Sequence, residues 1–181
     1  MSKPANPVEI TDNLPDQTIQ RSNTDNAPRS AIHQTLYSAD TFAQHDYLAG
    51  KNLPDIARPQ EGQIDWLHFV GINDVALLKH ALEPYGIHEL VIEDILSRKQ
   101  RPKIEDYGNY VFTAAQVYHY ISTGKLHSDQ VYVIIGKDFV LSFQQKPLGL
   151  FSHLRRQMHE NPHNILNKNT AFLAYCLLDR I

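Results

Sequence analysis

The sequence predicts an α/β fold, a layered α/β/α domain with a mixed, largely antiparallel sheet flanked by helices. Three observations predict it. An apolar strand pattern at residues 64–70 leads into two amphipathic helical patterns, three segments rich in Val, Ile, Tyr and Phe follow with only turn signals between them, and two helical patterns close the chain. The 181 residues suffice for one sizeable core but are few for two domains.

The elements follow in order. Residues 1–30 contain no aromatic side chain, and Pro4, Pro7, Pro15 and Pro28 interrupt a run of Asn, Asp, Ser, Thr and Gln. Such a segment cannot bury enough apolar area to order itself, so 1–30 is expected to be a disordered tail and 31–181 the folded domain. Residues 32–37 read as the first strand. The stretch 38–63 is polar and broken by proline, with one short helix expected around 41–49. Residues 64–70 (IDWLHFV) carry apolar side chains on both faces, as a strand inside a sheet does, and Gly71 ends it.

Asn73 or Asp74 is placed to cap a helix whose apolar residues Val75, Leu77, Leu78, Ala81, Leu82 and Tyr85 repeat at helical spacing until Pro84 and Gly86. A second helix over 88–96 gathers Val91, Ile92, Ile95 and Leu96 in one arc, with Glu93 and Asp94 opposite. Pro102 then forces Arg101 into an extended conformation. Residues 110–120, 130–135 and 139–143 form an antiparallel meander, with turns at 122–125 and 136–138. Residues 148–159 are amphipathic and basic at Arg155 and Arg156, and Pro162 closes them. Residues 171–181 (AFLAYCLLDRI) are apolar on nearly every side, which predicts a buried or interface helix. The chain stops within that pattern without a Gly or Pro cap, as a cut helix would.

The formal charge of −3, from 17 basic and 20 acidic side chains, supplies no field for drawing in a nucleic acid. The single Cys176 rules out a disulfide framework and a Cys-rich zinc site. No signal peptide pattern opens the chain, and no run approaches the roughly 20 apolar residues that span a bilayer. There is no Gly-x-Ser-x-Gly elbow and no Gly-rich phosphate loop, and Cys176 sits in an apolar helix where its thiol should be inert, so no enzyme is expected.

The histidines carry little by spacing alone. His159 and His163 are separated by Pro162, which breaks the helix that would align them. His119 and His127 flank a hairpin and could approach across it, but two histidines without a third ligand make a weak site. Arg98, Lys99, Arg101 and Lys103 could meet a phosphate or an acidic partner; ion pairs with Glu105 and Asp106, or a solvated turn, are the plainer reading. Glu93 and Asp94 are hard oxygen donors suited to Mg²⁺ or Ca²⁺, although adjacent helix acids are usually only solvated. Asp179 lies on the stripe of Phe172, Tyr175 and Cys176, where an unpaired carboxylate would be costly, so a partner is expected: a cation, a basic residue or a proton.

The ordered set Trp66-Leu67-His68-Phe69-Val70-Gly71, Tyr85-Gly86-Ile87-His88-Glu89-Leu90-Val91-Ile92-Glu93-Asp94-Ile95-Leu96, Gln100-Arg101-Pro102-Lys103-Ile104-Glu105 and Asn109-Tyr110-Val111-Phe112 resembles the CorA family of divalent-cation transporters. The resemblance continues through Gln130-Val131 and residues 139–144 into 173–179, covering about 60–181. It implies a homopentameric channel for Mg²⁺, and often Co²⁺ or Ni²⁺, in the inner or plasma membrane, with this domain on the cytoplasmic face. Only the N-terminal α/β/α domain of such a channel is matched; the stalk helix, the two membrane helices and the Gly-Met-Asn loop of the family are not in this sequence, so the fragment itself would be soluble. The resemblance further implies that Glu93, Asp94 and Asp179 belong to a weak regulatory Mg²⁺ site between protomers, completed by a stalk carboxylate beyond Ile181, that closes the pore when Mg²⁺ is high. Other divalent cations are admissible there. A zinc-transporting branch of the same superfamily and a stand-alone ion-binding or interaction module are the competing readings.

Overall fold

In the computed structural model, the described residues are 30–50, 52–97, 100–120 and 123–181. The expectation for residues 1–29, the basic residues Arg98 and Lys99, and Ser122 of the expected turn lie outside them.

The strands are β1 (Ala31–Tyr37), β2 (Phe42–Leu48), β3 (Ile64–Val70), β4 (Lys103–Asp106), β5 (Tyr110–Tyr120), β6 (Leu126–Gly136) and β7 (Phe139–Gln144); the helices are α1 (Val75–Leu82), α2 (Glu89–Ser97), α3 (Ser152–Glu160) and α4 (Thr170–Leu178). The strands form one sheet in the order β2-β1-β3-β7-β6-β5-β4. Every pairing is antiparallel except β3 with β7. The mixed, largely antiparallel sheet is thus the one the sequence predicts.

Alternation along the strands sends side chains to two separate cores. Leu67, Phe69, Phe112, Ile134 and Leu141 face Leu77, Leu78, Leu82, Val91 and Ile95 of α1 and α2. Trp66, Val117, Val131, Val133 and Val140 face Leu154, Met158, Leu173 and Leu177 of α3 and α4. The helices therefore cover opposite faces, which makes three layers.

Caps and turns fix the ends. Asp74, rather than Asn73, caps α1, its carboxylate accepting from Leu77 N at 2.9 Å. Gly86, at φ 60°, ends the following turn in the left-handed conformation that glycine tolerates. Ser30, only 7 % exposed, donates to the Gly71 carbonyl and accepts from Asp74 N at 3.2 Å, so the residue before β1 is tied to the start of α1.

Two expectations are corrected and one strand is added. Residues 41–49 do not form a helix: Phe42–Leu48 is the edge strand β2, antiparallel to β1. The reason is the turn before it, where Ser38 N bonds to Thr41 O and the Ser38 hydroxyl accepts from Asp40 N and Thr41 N, folding the chain back onto β1. Residues 103–106 form a fourth strand on the opposite edge, paired with β5. The helix expected from 148 begins at Ser152, after a turn at Gly149 with φ 72°.

Candidate functional site

Asp94 lies on the C-terminal half of α2, and the chain returns through Gln100-Arg101-Pro102 to enter β4 at Lys103. Lys103 and Glu105 pair with Ala114 and Phe112, so both side chains project onto the sheet face that α2 covers. The ammonium of Lys103 donates to Asp94 Oδ2 at 2.8 Å and to Glu105 Oε1 and Oε2 at 3.0 Å each. It also stands 5.4 Å above the centre of the Phe112 ring. The Asp94 carboxylate holds the Lys103 ammonium above the ordinary lysine range against its partial desolvation, and Glu105 adds to the effect.

The other oxygen of Asp94 accepts from Gln100 Nε2 at 2.8 Å. The backbone of Gln100 is clamped by Gln130 on β6, whose Oε1 accepts from Gln100 N at 3.1 Å while its Nε2 donates to Gln100 O. Tyr132 OH orients that amide by donating to Gln130 Oε1 at 2.7 Å. The sequence motif around Gln100 and Lys103, and the distant Gln130, are thereby explained together: they lock α2 to β4 and hold Asp94 in place. The sequence offers Glu105 and Asp106 as ion-pair partners of the basic cluster that includes Lys103, but not Asp94 or Gln130, because contacts across 9 and 30 residues leave no periodic trace.

Glu93 is exposed. Asp179 is the C-cap residue of α4 and is exposed, its N–H bonding to Tyr175 O at 2.9 Å. The expectation of a costly buried carboxylate there is corrected, because Phe172, Tyr175 and Leu178 form the outward face of α4 while Leu173 and Leu177 are buried. Since α2 and α4 cover opposite faces of the sheet, a single chain brings Glu93 and Asp94 together but not Asp179. Among the described residues, no three His, Cys, Asp or Glu side chains are already placed to hold a metal ion. Arg101 is exposed.

The profile of the family described as CorA-like Mg²⁺ transporter protein matches residues 61–181. The cobalt/magnesium transport protein CorA of Thermotoga maritima is 37 % identical over 117 residues, which is 64 % of this chain and 33 % of that protein. The soluble domain of CorA from Methanocaldococcus jannaschii matches with a TM-score of 0.64 at 11 % identity, over 81 % of this chain and 54 % of that one. The cytoplasmic domain of ZntB from Vibrio parahaemolyticus matches with a TM-score of 0.54 at 12 % identity, over 82 % and 57 %. The chain thus spans about a third of the Thermotoga protein and somewhat over half of the two solved domains. Among the described residues, no helix is long and apolar enough to cross a membrane. The match over 61–181, which includes the α2–β4 lock, places this chain in the CorA-like Mg²⁺ transporter family.

Proposed function

We propose that this chain is the cytoplasmic ion-sensing domain of a CorA-like Mg²⁺ transporter, with copies joined so that Glu93 and Asp94 of one meet Asp179 of the next around a Mg²⁺ ion. The observation that carries the reading is the placement of these acids on the outer layers of opposite sheet faces. A contact that joins two different faces is heterologous, and heterologous contacts form a ring where the rotation between copies closes. The homopentamer expected from the sequence is such a ring, and the outward residues Phe172, Tyr175 and Leu178 offer apolar surface beside Asp179 for the contact.

The donor set suits the ion. Mg²⁺ takes oxygen ligands and gives up water reluctantly, so one or two carboxylates and retained waters make a weak site able to respond to changing concentrations. Lys103 and Gln100 engage Asp94 but leave part of its acceptor capacity free, since a carboxylate offers about four lone-pair directions. Without the ion, acids gathered at a shared boundary repel one another and favour the open state. A set made only of carboxylates suits Mg²⁺, whereas structural zinc is typically held by nitrogen and sulfur ligands, and the extent of the family match favours a transporter over a stand-alone module.

The test is inhibition of transport current by internal Mg²⁺ in the full-length protein. Asp94→Asn and Asp179→Asn should each weaken that inhibition while the protein still assembles. Unchanged inhibition in both variants would return these acids to ordinary surface charges.

A further inference from the structure

The β5–β6 hairpin carries a second group of metal-ligating side chains that the Mg²⁺ reading does not use. His119 and His127 are direct cross-strand partners, and their ring centres lie 6.4 Å apart. Asp129, two residues beyond His127, therefore projects from the same face. That face is the one bearing Val117 and α4, opposite to α2. Two histidines alone make a weak site; the register sets a third candidate donor beside them.

Among the described residues, neither ring nitrogen of His119 makes a hydrogen bond. Its Nδ1 is buried with no hydrogen-bond partner among the described residues. Its Nε2 stands 3.6 Å from Asp129 Oδ2, beyond hydrogen-bond reach. Two donors bound at 2.0–2.1 Å to one tetrahedral ion lie about 3.4 Å apart, so the His119–Asp129 separation is already close to that of two ligands sharing an ion. Asp129 is anchored, with its side chain 11 % exposed and Lys146 Nζ 3.1 Å from Oδ1 and 3.5 Å from Oδ2. His127 is exposed and can rotate at little cost to bring its ring to the same point.

We propose that His119, His127 and Asp129 form a binding site for a transition-metal dication of the Zn²⁺, Co²⁺ and Ni²⁺ class. Two imidazoles and one carboxylate select such ions over Mg²⁺, which favours oxygen donors and retained water. The ion enters between His119 Nε2 and Asp129 Oδ2, takes His127 as its third protein ligand and keeps water in the remaining position. Lys146 stays on Oδ1 or swings into solvent, its side chain being 54 % exposed. The site is separate from Glu93, Asp94 and Asp179, so its existence and the Mg²⁺ reading stand or fall independently.

The test is calorimetric titration of the 181-residue chain with ZnCl₂ and, separately, MgCl₂, together with visible absorption of the Co²⁺-loaded chain. Zn²⁺ should bind with 1:1 stoichiometry and more tightly than Mg²⁺. His127→Ala and Asp129→Asn should each weaken Zn²⁺ binding about tenfold or more, since loss of an outer-shell partner alone already costs 10–100-fold, and His127→Ala should abolish the ligand-field bands of Co²⁺. His159→Ala should leave Zn²⁺ binding unchanged. Because His127 is exposed, His127→Ala decides the matter even if Asp129→Asn fails to fold. Zn²⁺ binding that survives His127→Ala undiminished, or that is no tighter than Mg²⁺ binding, would overturn the proposal.

Discussion

The phenol of Tyr85 donates to Asp65 Oδ2 at 2.5 Å, deep beneath the turn that follows α1. Asp65 is fully buried on β3, and Gln34 Nε2 lies 3.1 Å from each of its oxygens. Gln34 in turn accepts from Tyr47 OH at 2.9 Å and donates to Ala57 O at 2.9 Å, so one carboxylate organises β1, β2, β3 and the segment crossing over them. Burial pushes the Asp65 carboxyl up to about 6, against the pull of Tyr85 and Gln34, and burial together with Asp65 raises the Tyr85 phenol.

This gives a pH prediction with a definite sign. A carboxyl whose folded value lies above its unfolded value of 3.8 binds its proton more tightly when folded. Its stabilising contribution is full below about pH 4 and is lost as pH rises through about 6. Asp65→Asn should remove that dependence, so the stability of the variant relative to the parent should improve by on the order of 3 kcal/mol between pH 4 and pH 7. Denaturant titrations at both pH values measure it; a difference independent of pH would refute it.

Lys103→Met should destabilise the fold by about 1–2 kcal/mol, because Asp94 and Glu105 lose a charge-assisted partner in a half-buried setting. Gln130→Ala should cost a similar amount by releasing the Gln100 backbone. Because the two sit in one network, the double variant should lose less than the sum, which a double-mutant cycle in urea would reveal.

Gly136→Ala should destabilise by about 1–3 kcal/mol. A Cβ at residue 136 would lie 2.3 Å from Phe139 Cε1, and that ring is held against Tyr85 with centres 4.9 Å apart. Thermal melting checks this; Gly62→Ala is the comparison, since its added Cβ meets nothing within 4 Å and only its φ of 80° opposes the change.

Ser30→Ala should cost about 1 kcal/mol, since it leaves Gly71 O and Asp74 N without their shared partner. Deleting residues 1–29 should shift the thermal midpoint little, whereas deletion through Ser30 should lower it measurably.

These contacts mark what was legible in the sequence. Strands such as 64–70 and 110–120, and the helix capped at Asp74, follow from periodicity and local caps, both of which are written in neighbouring residues. The edge strand β2 was not legible, because Ala43, Gln44 and Leu48 suit a helix and only the hydroxyl turn at Ser38, together with the demand of β1 for a partner, makes them a strand. Glu93, Asp94 and Asp179 could be singled out as acids, but the capture of Asp94 by Lys103 and the outward aspect of Asp179 depend on how distant segments meet. Asp129, the proposed third ligand beside His119 and His127, follows once the hairpin register aligns those histidines, since it lies two residues beyond His127 and so on the same face.

The single parallel seam among the described strands, β3 against β7, also governs how the chain reaches this structure. Hairpins β1–β2, β5–β6 and β6–β7 close through short local loops, but the seam joins partners as far apart as Trp66 and Ser142, whose side chains bond at 3.0 Å across 76 residues of sequence. Loop-closure entropy must be overcome before that contact stabilises anything, so docking of the two pre-paired halves should be the slow step. Leu141→Ala on the seam should therefore slow refolding roughly in proportion to the stability it removes, whereas Ala substitutions in the outer part of the β5–β6 hairpin should act mainly by speeding unfolding, a contrast that stopped-flow chevrons resolve directly.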